Sequence, residues 1–318
     1  MRADRRKSAF DRRQRPCYDP RVKRRDFLKV AFSSSLYFAA RRVFPAGLTV
    51  TADVGIAIGA DPEQATIRAI ALAGEIRRFV APGDVVVVKP NIGFNSPPSV
   101  RATTDPTIVR TVVHLCFQAL AAKVYVFDRS TASTRLAYVT SGIARAAEEA
   151  GAKVINVDEV TDKLYKKLAV KDGYALKETL VNRYVLEADA LINVPVAKSH
   201  GSALLTFGMK NLMGISGDQR GRWHWAMHES IADINRIVAS KLTVIDAMTL
   251  MLRNGPTGGR AEDLKRTNTV IASANVLEAD CEAARMFGFT PAEVGDIGLG
   301  AKAGVGRLSG YSTEVARV

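Results

Sequence analysis

Cysteine is scarce in this 318-residue chain: Cys17, Cys116 and Cys281 are the only three, and no C-x-x-C pair occurs. Without a ladder of thiolate ligands, neither a Cys-bound zinc nor a Cys-ligated iron–sulfur cluster is expected. Cys116 and Cys281 lie in segments of apolar helical pattern and read as small buried hydrophobes, with a disulfide between them as the open alternative. Other signatures are missing too. There is no G-x-x-x-x-G-K-[ST] phosphate loop, no G-x-S-x-G elbow, no H-E-x-x-H and no paired-carboxylate motif, so acyl transfer by Ser or Cys and metallopeptidase chemistry lack their machinery. No repeat of about 20 to 50 residues recurs, which argues against solenoids and propellers.

The net charge of +13 suggests a nucleic-acid partner until it is located. Residues 1–42 hold 14 Lys and Arg against 4 Asp and Glu, whereas the other 276 residues hold 31 against 28. A basic head on a near-neutral body is an address segment rather than a phosphate-binding face, because counterion release needs cations clustered on the folded surface. Nucleic acid is therefore not an expected partner.

Within that head, KRRDFLK at 23–29 carries the pair Arg24 and Arg25, and VAFSSSLYFAA follows from Val30 to Ala40. The pattern resembles a twin-arginine export signal. Its apolar run is much shorter than the roughly 20 residues needed to span a bilayer, so it reads as a signal h-region. Ala46 is the candidate cleavage position, although Phe44 is bulky two residues upstream. The resemblance implies the twin-arginine translocase as a partner and a periplasmic or exported location, tethered to the membrane if the signal stays uncleaved. The alternative is a basic amphipathic arm that never leaves the cytoplasm. The chain thus divides into a signal segment at 1–46 and a single α/β domain at 47–318.

From Asp53 onward, short β-rich runs alternate with longer helical patterns, which predicts a mostly parallel sheet with helices on both faces. Strands are expected at 53–59, 83–91, 123–128, 152–158, 190–198 and 242–248. Helices are expected at 62–74, at 105–122 with Asp105 as cap and Pro106 in the first turn, and at 135–150. The Lys-rich stretch at 161–184 alternates like a half-exposed strand and predicts a hairpin or small β cap.

The strong strands end in polar residues: Lys89 and Asn91, then Asp128, then Lys198 and His200, then Asp246. In open parallel sheets the C-terminal edge is where ligands bind, because loops diverge there and helix N-termini face it. The densest stretch, Lys198 to Glu229, supplies Lys198, Lys210, His200, His224, His228, Arg220 and Arg222 beside the small residues Gly201 and Ser202. Such density suits an anionic small molecule, or a metal held by imidazoles with Asp128 or Asp246. His224 and His228 share a face if their segment is helical, the spacing of many metal pairs, against a capped or partly buried role for each. His114, among Val113, Leu115 and Phe117, reads as a core histidine with a structural hydrogen bond. RNGPTGG at 253–259 offers either backbone amides to an anion or a tight turn.

VVVVKPNIG, ALINVPVAKSH, TFGMKNLMGISG, TVIDAMTLMLRNGPTGG and ANVLEADCEAARMFGF occur in the order and style of the family known as domain of unknown function 362, which residues 53–300 resemble. The resemblance implies an α/β fold and marks Lys89, Pro90, Asn91, Lys198, His200, Lys210, Asn211, Asp246, Gly255, Pro256 and Asp280. Some members carry an added ferredoxin-like module, which is not expected in residues 1–318.

The leading expectation is an exported enzyme that binds an anionic small molecule at the sheet's C-terminal edge, assisted by a divalent metal. In it Lys89, Lys198 and Lys210 bind or polarise the substrate, Asn91, Asn211 and Gly255 orient it, and His200 is proton carrier or ligand. Asp246 acts as base or ligand, with Asp128, His224 and His228 as metal ligands. The competing readings are a non-catalytic ligand-binding or redox-accessory protein that docks a redox partner, and a scaffold whose polar strand ends are solvated loops.

Overall fold

The computed structural model describes residues 52–131, 133–157 and 159–318. Cys17, the twin-arginine pattern and the boundary expected at residue 46 lie outside the described residues. The strands are β1 (Val54–Ile58), β2 (Val85–Pro90), β3 (Lys123–Val126), β4 (Lys153–Val154), β5 (Tyr165–Ala169), β6 (Glu178–Asn182), β7 (Ala190–Val194), β8 (Val196–His200), β9 (Leu204–Thr206), β10 (Leu242–Met251), β11 (Leu264–Ser273) and β12 (Thr313–Arg317). One mixed, mostly parallel sheet runs in the order β12–β1–β11–β10–β7–β2–β3–β4, with β8 paired to β10 and β9. Strands β10, β7, β2, β3 and β4 are parallel neighbours, while β11 is antiparallel to both β10 and β1.

The pleat divides the apolar residues between two cores. Val86 and Val88 of β2 join one cluster, with helices Pro62–Leu72 and Pro106–Gln118, while Val87 joins the other, with Met227–Ile237 and Val276–Met286. This period-2 exchange is what buries a strand such as VVVV on both faces. The expected α/β architecture with helices around the sheet is therefore present.

Local chemistry sets the helix starts. Asp61 and Asp105 accept hydrogen bonds from the backbone N–H of Glu63 and Thr107, each before a proline whose missing N–H costs nothing there.

Three expectations change in detail. The helix expected at 135–150 is two, Thr134–Thr140 and Ile143–Glu149, broken at Gly142 in a left-handed conformation (φ 72°). The single strand expected at 190–198 is two, because Pro195 has no N–H for the ladder; its carbonyl instead accepts Asp246 N–H at 2.8 Å. His114 is exposed rather than in the core.

Cys116 and Cys281 are buried and free, each thiol pushed up by desolvation, so the disulfide alternative falls. The cap expected at 161–184 is the antiparallel β5–β6 hairpin. It is tied to the loop after Ile215 by Gly217 N–H on Leu180 O and Leu180 N–H on Asp218 Oδ1. No described helix is long and apolar enough to cross a membrane.

A buried carboxylate sets the chain segment that carries Lys210 and Asn211. Asp280 accepts the N–H groups of Gly208 (2.7 Å) and Met209 (2.8 Å), holding the turn Gly208–Asn211 against the helix Val276–Met286. A Cβ on Gly208 would lie 2.8 Å from that carboxylate and 2.7 Å from Val276, so the approach requires glycine.

Candidate functional site

Parallel strands β2 and β3 place Lys89 and Asp128 side by side at their C-terminal ends. Lys89 Nζ lies 2.8 Å from Asp128 Oδ1, with both side chains withdrawn from water. Burial holds the Lys89 ammonium below its ordinary value and the Asp128 charge opposes that shift. The remaining donors of Lys89 reach Pro90 O (2.9 Å) and Asn211 Oδ1 (3.0 Å), and Asp128 Oδ2 accepts Ile92 N–H (2.7 Å). Asn211 is the hub: it donates to Asn193 Oδ1 and Lys89 O and accepts from Asn91 Nδ2. The backbone of Gly214 closes over the pair so tightly that a Cβ there would stand 1.8 Å from Asp128 Oδ1.

Next to this pair, Lys198 on β8 is buried with no carboxylate partner among the described residues. Its Nζ donates to Asn91 Oδ1 (3.3 Å) and Ala102 O and sits 4.7 Å from the centre of the Phe94 ring. Burial first, then the charge of Lys210, pushes its ammonium well below the usual lysine range. Two residues along the strand, His200 Nδ1 faces the N–H groups of Ser202 and Ala203, both at 3.2 Å, so the neutral ring carries its proton on Nε2. Burial and the Lys210 and Lys198 charges hold that imidazole down to about 3. His224 stacks on it, ring centres 6.3 Å apart, and shares Ser202 Oγ at 3.0 Å.

These groups line a cavity of about 450 Å³ at the C-terminal edge of the sheet. Its further cations are Arg129, Lys210 and Arg220. Among the described residues none of the three has a carboxylate oxygen within 4.0 Å. Arg129 donates to the carbonyls of Ser216 and Asp218, and Arg220 to that of Ser130, which aims both without neutralising them. Burial holds the Lys210 ammonium down to about 8. The Thr206 hydroxyl, buried on the cavity wall, has no hydrogen-bond partner among the described residues. An enclosure with spare positive charge and an unspent hydroxyl is suited to an anion carrying further polar groups.

Of the residues singled out by sequence, Lys89, Asn91, Asp128, Lys198, His200, Lys210, Asn211 and His224 all line this cavity, as does Pro256. Asp246 does not. It is buried beneath the edge, accepting Asp105 N–H (2.8 Å) and Met248 N–H (3.1 Å), and desolvation raises its carboxyl to about 6. Its role is to anchor the start of helix Pro106–Gln118. Gly255 also lies off the wall: its N–H donates to Ser199 Oγ, and a Cβ would meet Ser199 O at 1.9 Å.

His228 is drawn away to Asp296, 3.0 Å distant, which raises its pKa; the expected His224–His228 pair is not formed. Among the described residues no group of three His, Cys, Asp or Glu side chains is placed to hold a metal ion. Sequence reasoning passed over Arg129, Phe94, Thr206, Asp218 and Gly214. Arg129 follows Asp128 directly and was open to the same strand-end rule; the others depend on loops and registers that no local pattern shows.

Fold and site together define a mixed α/β protein with a cation-lined cavity at the edge where its parallel strands end. The chain belongs to the family described as domain of unknown function (DUF362), whose model matches residues 86–285. It is similar to a thylakoid-associated protein of Synechocystis sp., 26% identical over 230 residues that cover 70% of this chain and 68% of that one. Among solved structures it is similar to the lactate racemase apoprotein from Thermoanaerobacterium thermosaccharolyticum, with 12% identity and a TM-score of 0.47 over 75% of this chain and 57% of that chain.

The Lys89–Asp128 pair makes a direct prediction. Asp128→Ala leaves a buried ammonium uncompensated and destabilises the fold by about 3–5 kcal/mol, whereas Lys89→Met with Asp128→Leu recovers most of the loss. Urea unfolding checks this. Equal midpoints for wild type and Asp128→Ala would show that the pair carries no such constraint.

Proposed function

We propose that this cavity binds a small anionic molecule. The observation that carries the reading is the convergence of Lys210, Arg129 and Arg220 on one enclosure without an ion-paired carboxylate for any of them among the described residues. Cations are seldom gathered unpaired in a half-buried wall, since each repels the others in a poorly screened space. An anion entering there relieves that repulsion and gains charge-assisted hydrogen bonds. Lys89 belongs to the frame rather than the binding surface, because its charge is already spent on Asp128. Neutral His200, carrying its Nε2 proton, supplies a donor on the same wall.

Isothermal titration with phosphate and with oxalate tests the reading. Lys210→Met and Arg220→Met each weaken binding about tenfold or more, the effect of one lost charge-assisted contact. Because Lys210 titrates at about 8, affinity falls as pH rises through that value, and Lys210→Arg removes the fall. Unchanged affinity in both Met variants contradicts the proposal.

We further propose that the chain is exported through the twin-arginine translocase, on the strength of Arg24, Arg25, Phe27, Leu28 and the short apolar run that follows. Replacing both arginines by lysine retains the charge and abolishes export. Fractionation of cells expressing each form reads the outcome, and export of the double variant at the wild-type level would refute it.

A further inference from the structure

A lysine this deeply buried normally meets a carboxylate, as Lys89 does. Among the described residues Lys198 meets none: its partners are an amide oxygen, a backbone carbonyl and an aromatic face. Two acceptors match the two N–H bonds of a neutral amine and leave its lone pair unspent. The ring face of Phe94 and the charge of Asp128 favour the charged form. Against it stand complete desolvation and the charges of Lys210 and Lys89, the arrangement that makes a lysine nucleophilic. The same wall carries cations able to hold an anionic group, and an unpartnered hydroxyl on Thr206, which pairs with Lys198 across β8 and β9.

We propose that Lys198 is a nucleophile that forms an imine with a carbonyl compound whose anionic group is held by Arg129, Arg220 and Lys210. This rests on the anion-site reading and goes beyond it by naming the reacting atom and the class of substrate. The Nζ lone pair attacks the carbonyl carbon, a C–N bond forms, and the carbonyl oxygen takes up a proton to give a carbinolamine. Loss of that hydroxyl as water, with departure of the second amine proton, gives C=N. Amine and carbonyl thus yield imine and water, with nothing oxidised or reduced.

The proton that Nζ sheds on attack is the one the carbonyl oxygen gains, and the second amine proton leaves with the hydroxyl as water, so no separate acid or base is consumed. The His200 Nε2–H, on the same strand face two residues away, donates a hydrogen bond to the departing oxygen.

The test is trapping by sodium borohydride in the full-length protein, with pyruvate as the carboxylate-bearing probe and dihydroxyacetone phosphate as the phosphate-bearing one. Peptide mapping is expected to find a reduced adduct on Lys198 at least about tenfold more abundant than on any exposed lysine. The probe that labels reports which anionic group the cavity accepts.

Lys198→Met fills the same space without the amine, so it retains the fold, checked by its thermal unfolding, and loses the adduct. If wild-type protein binds phosphate or oxalate but neither carbonyl probe labels Lys198, the imine proposal is overturned and the anion site stands. If neither anion binds and labelling merely follows exposure, both fall.

Discussion

A lysine and an aspartate removed from water at the ends of neighbouring strands form the constraint around which this site is arranged. Separately, each charge is expensive in the interior; at 2.8 Å, with their other donors and acceptors satisfied, they are tolerated. That tolerance dictates much of the surroundings. Asn211 must present its oxygen to Lys89, which requires Asp280 to hold the turn Gly208–Asn211, and position 214 must be glycine. The pair is also why Lys198 stands out: two buried lysines share one carboxylate, and Lys89 occupies it.

The second constraint is topological. Strands β2, β3, β7 and β10 run parallel, so their polar ends collect on one edge, while β8 continues beside β10 after Pro195 and carries Lys198 and His200 to the same edge. The loop after Ile215 then walls the cavity, with Asp218 spent on the β5–β6 hairpin behind it and Arg129 and Arg220 left on the cavity wall. Carboxylates are consumed by structure while cations are not, and the cavity's charge follows from that imbalance.

The strand-end rule found Lys89, Asn91, Asp128, Lys198 and His200 on the cavity wall because a parallel sheet brings separate strand ends into one neighbourhood. It failed where the same polar residue served structure. Asp246 ends its apolar run as Lys89 does, yet its carboxylate points at the backbone of Asp105 and Met248, a choice set by the neighbouring loop. His224 and His228 are four apart, but the short helix Arg220–Trp225 ends between them and sends one to His200 and the other to Asp296. Strand β11 was not legible because its first half, LKRTN, is charged and partly exposed, and becomes a strand only against β10. Gly142 and Pro195, by contrast, were visible breakers inside runs read as continuous.

The most direct test of the central claim, that this cavity is built to receive an anion, is anomalous diffraction from crystals grown with a heavy oxyanion such as tungstate. An anomalous peak is expected within hydrogen-bonding distance of Lys210, Arg129 or Arg220 inside the cavity. Tungstate found only on the outer surface, with water alone between these side chains, would contradict it.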